Sequence, residues 1–363
     1  MRKFSKFLVV MLCLAVPVFG ITSCSSTNVR NYFPFLSDTI LTYESEDEEI
    51  SYRIFVDYIN ENRMQRRLLL ENGMMWVEVA EFRDNRLVHI NTFNDLSAHI
   101  DMTTQLARGH SLILTGPIRL GTEWLQFPTT NDSRTRQITG TDIRVTTAAG
   151  TFNTIEITTV LHSSPGFRVP PSSKEFFAPG VGLVKSINFN GILESDPHGI
   201  EEETTTMRLV SIERDTGFEQ TVVFFYPVDI ENPENPEFFE FSVIYTTNNN
   251  LNLIHTEFLH RAISEIFDYE LNPESTMNFA RIDHEIRNLH VDFSAYFLDD
   301  IMQIINGDPE KELLIFHALV DTLGVLYATN AVHISFDGEP YSGLEMTLNQ
   351  RQFIPIGSGP LHQ

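Results

Sequence analysis

The chain has 363 residues, 42% of them hydrophobic, and a formal net charge of −24. So acidic a surface argues against nucleic acid and against charge-driven docking on anionic lipid headgroups, both of which need basic patches. With only two cysteines and 28 phenylalanines, the cores must fold by packing alone, and the length suggests two domains.

In chain order, Arg2, Lys3 and Lys6 precede an apolar run from Phe7 to about Phe19, the pattern of a secretory signal. That run is shorter than the roughly 20 residues of a spanning helix, which argues against a permanent transmembrane segment. Ile21, Thr22, Ser23 and Cys24 follow, a stretch that resembles the bacterial lipobox, with Ile where Leu is commonest. The resemblance implies cleavage after residue 23 and a diacylglycerol thioether on Cys24. Other roles fit that thiol poorly: Cys13 would leave with the signal, so no disulfide partner remains. A catalytic thiol needs a base and a folded pocket, which Ser25, Ser26 and Thr27 do not supply. Two or three acyl chains would hold the protein firmly on the extracytoplasmic face of a bacterial membrane. Cleavage removes three cations and no acids, leaving 22 Lys+Arg against 49 Asp+Glu, or −27. Residues 24–30 read as a short tether.

Strand signals dominate residues 31–214. Ile50, Tyr52, Ile54, Val56 and Tyr58 alternate strictly, the period of a strand with one buried face. Similar runs span 75–82, 86–93, 141–147, 152–160, 182–189 and 207–213, with turn signals at 71–73, 83–85 and 148–150. Residues 95–107 have room for one short helix. An antiparallel β domain is expected here.

The pattern changes at 213–220, where a domain boundary is expected. Strands are expected at 221–227 and 238–245, and then a helix with an apolar stripe at Leu251, Ile254, Phe258, Ala262 and Ile266. Short strands follow at 277–282 and 289–293. A second helix is expected from Asp308 as N-cap and Pro309 in its first turn to Ala328, followed by a last strand ending in an Asp-Gly turn. The fold class expected is α+β: the β domain, then a small α+β sandwich over 220–348 with two helices on one sheet face, and a tail at 349–363.

The run "LHVDFSAYF" and the later "GDPEKELLIFHALVDTLGVLYATNAVHISFDG" carry Val291, Asp292, Phe293, Ser294, Gly307, Glu310, Glu312, Thr322, Leu323, Phe336 and Gly338. Together they resemble the GerMN domain of sporulation and spore germination proteins. The resemblance implies a structural or interaction role for these residues and an assembly function, with envelope proteins or further copies of the chain as partners. The family's Gly-Pro helix end is missing from "RAISEIFDYELNP".

Candidates for chemistry are sparse. "APGVGLVKS" lacks the lysine placement of a phosphate loop and the third glycine of a dinucleotide turn, and a strand rather than a helix follows. His255 and His260, five apart on a helix, point away from one another and cannot grip one metal, whereas His290 and His333 share a strand phase that makes them sheet neighbours. Asp292 and Asp337 suit general acid-base work on glycan, but each lies at a strand end where Asp commonly bonds its own backbone in a turn. The acidic run 44–49 reads as a solvated hairpin tip. No catalytic residue, metal site or cofactor is expected. The function expected is a non-catalytic, lipid-anchored scaffold, with a module that binds an apolar ligand or cell-wall fragment in its β domain as the alternative.

Overall fold

The computed structural model describes residues 28–94, 98–128, 134–161, 171–189, 204–227, 237–283, 287–344 and 354–355. The signal, the lipobox residues Ile21, Thr22 and Ser23, and Cys24 lie outside the described residues.

Twelve strands form one antiparallel sheet: β1 (Thr39–Ser45), β2 (Ser51–Ile59), β3 (Arg63–Leu70), β4 (Met75–Arg83), β5 (Arg86–Asn94), β6 (Ser111–Thr115), β7 (Glu123–Leu125), β8 (Arg134–Thr147), β9 (Gly150–Leu161), β10 (Pro171–Ala178), β11 (Gly182–Phe189) and β12 (Thr204–Arg214). Its order runs from β6 down to β1, then from β12 down to β7, so nearly every neighbour in sequence is a neighbour in space. The two ends meet where the Leu112 N–H donates to Gln126 O (2.7 Å) and the Trp124 indole donates to Leu112 O (2.9 Å). The sheet is therefore a nearly closed barrel, and joining its ends covers the edges an open sheet would expose. Turn chemistry sets the meander. Asp84 and Asn85 both take positive φ between β4 and β5, the geometry of a tight two-residue hairpin turn, and Gly73 (φ +82°) turns β3 into β4. The acidic run forms the exposed tip between β1 and β2. No helix forms over the described residues 98–107; their backbone is held by side chains, as where Gln65 accepts from the Met102 N–H at 2.7 Å.

After β12 the chain builds a hairpin, β13 (Phe218–Tyr226) and β14 (Glu237–Tyr245), as a separate two-stranded sheet. Helix α1 (Leu251–Phe267) leads to β15 (Met277–Asp283) and β16 (Asn288–Phe293). Helices α2 (Ala295–Ile305) and α3 (Pro309–Leu326) then cross over to β17 (Ala331–Phe336), which pairs in parallel with β16. Short β18 (Glu339–Pro340) and β19 (Ile354–Pro355) flank β17. As the sequence indicates, Asp308 caps α3, accepting from Glu310 N at 3.0 Å, with Pro309 in its first turn.

Two expectations need correction. Among the described residues of the C-terminal part there are three α-helices rather than two: Phe297, Ile301, Ile304 and Ile305 recur at helical spacing after the N-cap Ser294, a stripe hidden behind the strand-like "VDFS". The hairpin does not join the β15–β18 sheet but covers the far side of the helices. Helix α3 touches β13 on one side and β17 on the other, while α1 touches β14 and β15. Leu314, Ile315, Phe316, Leu319, Val320 and Leu323 bury α3 around most of its circumference, and a helix apolar all round needs cover on both sides.

Candidate functional site

Strands β2 and β3 are buried on both faces, which the alternation of a strand makes possible only where something covers each face. On one face Tyr52, Ile54, Val56, Met64 and Leu68 join Leu41 and Tyr43 of β1 around a cavity of about 90 Å³ inside the barrel. Phe33 and Pro34 cover it from the segment before β1, and Val181, Gly182 and Leu183 from the start of β11. Tyr43 donates its hydroxyl to Leu183 O (2.7 Å) and stacks on Tyr52 with ring centroids 4.9 Å apart, so the wall is held without an orphaned polar group. Burial pushes the Tyr52 phenol up to about 12 and Tyr43 higher still.

Arg66 brings charge to this otherwise apolar lining. Its guanidinium meets Glu78 through Nε–Oε2 at 2.8 Å and Nη2–Oε2 at 2.7 Å and lies 5.1 Å from the Phe33 ring centre. Both side chains keep about a fifth of their surface exposed (21% and 22%), so the ion pair marks where water reaches the cavity. Elsewhere in the barrel Arg136 pairs with Glu175 beside the Trp124 ring, and burial lowers its pKa to about 10.

The other face of the same two strands meets the C-terminal elements. Asp57, Gln65 and Arg67 are fully buried there and His99 nearly so. Arg67 donates from Nε to Asp57 Oδ2 (3.1 Å), holds the same oxygen from Nη2 (3.0 Å) and reaches Ala98 O (2.8 Å). Gln65 adds a bond to Asp57 Oδ2 at 3.1 Å. Burial alone would raise the Asp57 pKa, but Arg67 and His99 hold it well below the usual carboxylate range. His99 sits between two acceptors, Asp57 Oδ1 at 2.9 Å from Nδ1 and Gln220 Oε1 at 2.9 Å from Nε2, and its ring stacks on Tyr245 at 3.7 Å. Burial, reinforced by Arg67, lowers its pKa against the opposing pull of Asp57. The chain of contacts continues through Tyr245 and His255 Nε2 (3.4 Å) to His255 Nδ1 and the Tyr327 hydroxyl (2.6 Å). Alongside, Phe55 stacks on Phe218, and Thr247 donates to Val56 O (2.7 Å). Adjacent arginines on one strand thus serve opposite tasks: Arg66 faces the cavity, and Arg67 holds Asp57 and the Ala98 carbonyl beside His99, which reaches across to Gln220 and Tyr245.

The residues marked in the sequence lie elsewhere. Asp292 Oδ1 accepts from the Ser335 hydroxyl (2.6 Å) and Gly338 N (2.8 Å), and Asp337 accepts from Ala295 N (3.1 Å). Asn278 bridges the two carboxylates at 2.9 and 3.0 Å. Asp337 itself takes φ +48° and Gly338 φ +82°, so this constellation closes a turn at the sheet's end. Val291, Phe293, Leu323 and Phe336 are core residues, and Ser294 caps α2. Thr322 accepts from Phe225 N at 2.9 Å and so fastens the edge of β13 to α3. Glu312 is fully buried, bound to the Tyr341 hydroxyl and to Leu344 N (2.9 Å). His290 and His333 pair in register with ring centroids 5.3 Å apart. Among the described residues no group of three or more His, Cys, Asp or Glu side chains is arranged to hold a metal ion, and no helix is long and apolar enough to cross a membrane.

The sequence reading offers an apolar ligand in the β domain as its alternative, but it names neither the residues of the cavity nor the buried network. Their signals were the carboxylate Asp57 inside the apolar run "IFVDYI" and the paired arginines of "MQRRLLL", one of which must face each side of a strand.

Residues 125–195, which run from β7 through β11, match the DUF3108-like family model. A "putative lipoprotein" from Parabacteroides distasonis is 14% identical with a TM-score of 0.28, over 50% of this chain and 98% of that one. A "putative outer membrane lipoprotein-sorting protein domain" from Vibrio parahaemolyticus is 9% identical with a TM-score of 0.18, over 51% and 87%. At such TM-scores neither likeness fixes the fold or the function of this chain. No curated protein matches the sequence.

Proposed function

We propose that this chain is a non-catalytic, lipid-anchored protein of a bacterial envelope whose barrel holds a small apolar group. The observation that carries this reading is the apolar cavity on the inner face of β1–β3, with Arg66 and Glu78 at its wet side. At about 90 Å³ it is well short of the ~300 Å³ of a pocket that encloses a drug-sized ligand. It approaches the ~150 Å³ engineered cavity that takes benzene, so it suits one ring or the end of an alkyl chain. Anchoring rests on the signal and on Cys24. Titration with an alkyl-chain fluorophore tests the binding. Wild type should enhance its emission saturably, and Leu68→Trp, which fills the cavity, should weaken binding by tenfold or more; equal binding by both would refute the reading. Cys24→Ala should abolish labelling by a clickable palmitate in the native host.

A second reading, an assembly role for a GerMN-like C-terminal unit in sporulation, germination or another envelope complex, is favoured by one surface. The outer face of β14 exposes Phe238 (63%) and Ile244 (60%). They stand at the two ends of one strand face, with Glu240 and Ser242 between them. Phe238→Glu with Ile244→Glu should reduce the size of the detergent-solubilised complex; an unchanged size argues against this face.

A further inference from the structure

Beside the seam between barrel and C-terminal layers runs a cleft in three joined compartments, separate from the barrel cavity. The first, about 350 Å³, is walled by Tyr58, Ile100, Asn249, Ile282 and Tyr327. The second, about 270 Å³, shares Ile100, Ile282 and Tyr327 and adds Phe93, Arg108 and Arg287. The third, about 470 Å³, shares Phe93 and Arg108 and continues along Asn91 and His110. Shared walls make one trough, long enough for a short oligomer rather than a single ring.

Its chemistry has two parts. The Asn249 carboxamide has both polar atoms buried without a hydrogen-bond partner among the described residues, and a buried polar group left so costs about 1–3 kcal/mol. A carboxamide offers a donor and an acceptor together, and a sugar hydroxyl answers both. The central compartment has Arg108 and Arg287 in its wall and, among the described residues, no acid in its lining, in a chain of net charge −24. Arg287 is anchored through the carbonyl of Ala328, and Arg108 through its backbone N–H to the Asn91 side chain (2.9 Å). Asp101, in the wall of the first compartment, is bound to the backbone and hydroxyl of Thr103 at 2.8 and 2.6 Å. Two arginines in one wall select an anion, and the half-buried Phe93 gives the face of a pyranose an apolar neighbour.

We propose that this cleft binds an acidic oligosaccharide, its carboxylate or phosphate between Arg108 and Arg287 and its hydroxyls toward Asn249. Calorimetric titration of the full chain in detergent with tetragalacturonate, maltotetraose and inorganic phosphate tests this. The acidic tetramer should bind at least tenfold more tightly than either control and weaken as salt rises from 50 to 300 mM. Arg108→Ala, at an exposed position, should weaken it about fivefold or more and flatten the salt dependence, and Asn249→Ala should weaken it with the salt slope unchanged. No preference over maltotetraose, phosphate binding as tightly as the tetramer, or an Arg108→Ala variant that binds like wild type would each overturn the assignment. The alkyl fluorophore should bind the Arg108→Ala variant as it binds wild type, which separates this site from the barrel cavity.

Discussion

At the scale of single residues, the strongest commitments are buried charges. Asp57 and Arg67 have no exposed side-chain surface, and removing one partner leaves the other uncompensated in the interior. Arg67→Ala or Asp57→Ala should therefore cost about 3–5 kcal/mol in urea unfolding, whereas a joint replacement by apolar residues of similar volume should recover much of it. If the single variants lose less than about 1 kcal/mol, the buried pair does not stabilise the fold. Acid should act through the histidines. His255 is buried against Tyr245 and Tyr327 with His99 nearby, and burial pushes its pKa down to about 3. The unfolded chain, with His near 6.5, binds more protons between those values, so stability is full above pH 6.5 and falls as pH drops toward 3. The slope is at most about 1.4 kcal/mol per pH unit for each such histidine. Asp57, with its pKa lowered, adds its own loss only below about pH 4. The urea midpoint followed from pH 8 to 4 checks this, and His255→Gln should flatten the slope.

At the scale of elements, sequence patterns were most legible where alternation and caps were strict. Strands β2, β4, β5, β9, β11 and β12 lie close to the ranges read from alternation, and Asp308 and Pro309 open α3 as expected. Strand β3 was missed because "RMQRRLLL" carries three arginines, whose burial depends on Glu81, Glu78 and Asp57 from neighbouring strands. That compensation cannot be seen in a local window. The candidate site was illegible for the same reason: Arg66 and Arg67 acquire opposite roles only once the barrel closes on one face and the hairpin packs on the other. Asp292 and Asp337 are placed by the sequence at strand ends, where a turn role is preferred to a catalytic pair. With Ser335, Gly338 and Ala295 as their partners, Asp292→Asn should cost about 1–2 kcal/mol of stability and leave muropeptide release by host cells unchanged. A loss of release with intact folding would restore the catalytic alternative. Thr322→Val should loosen β13 from α3 by about 1–3 kcal/mol, seen as faster hydrogen exchange at Phe225.

At the scale of the whole molecule, β2 and β3 are a shared wall between the barrel cavity and the C-terminal layers. An apolar group in the cavity presses on Ile54, Val56 and Leu68, whose strand neighbours Phe55, Asp57 and Arg67 carry the buried contacts to Phe218 and, through His99, to Tyr245. The most direct test of the central claim is a crystal of the chain soaked with bromobenzene and measured at the bromine edge. One anomalous peak is expected among Leu41, Ile54 and Leu68. A peak elsewhere, or none at a concentration that saturates binding in solution, would contradict it.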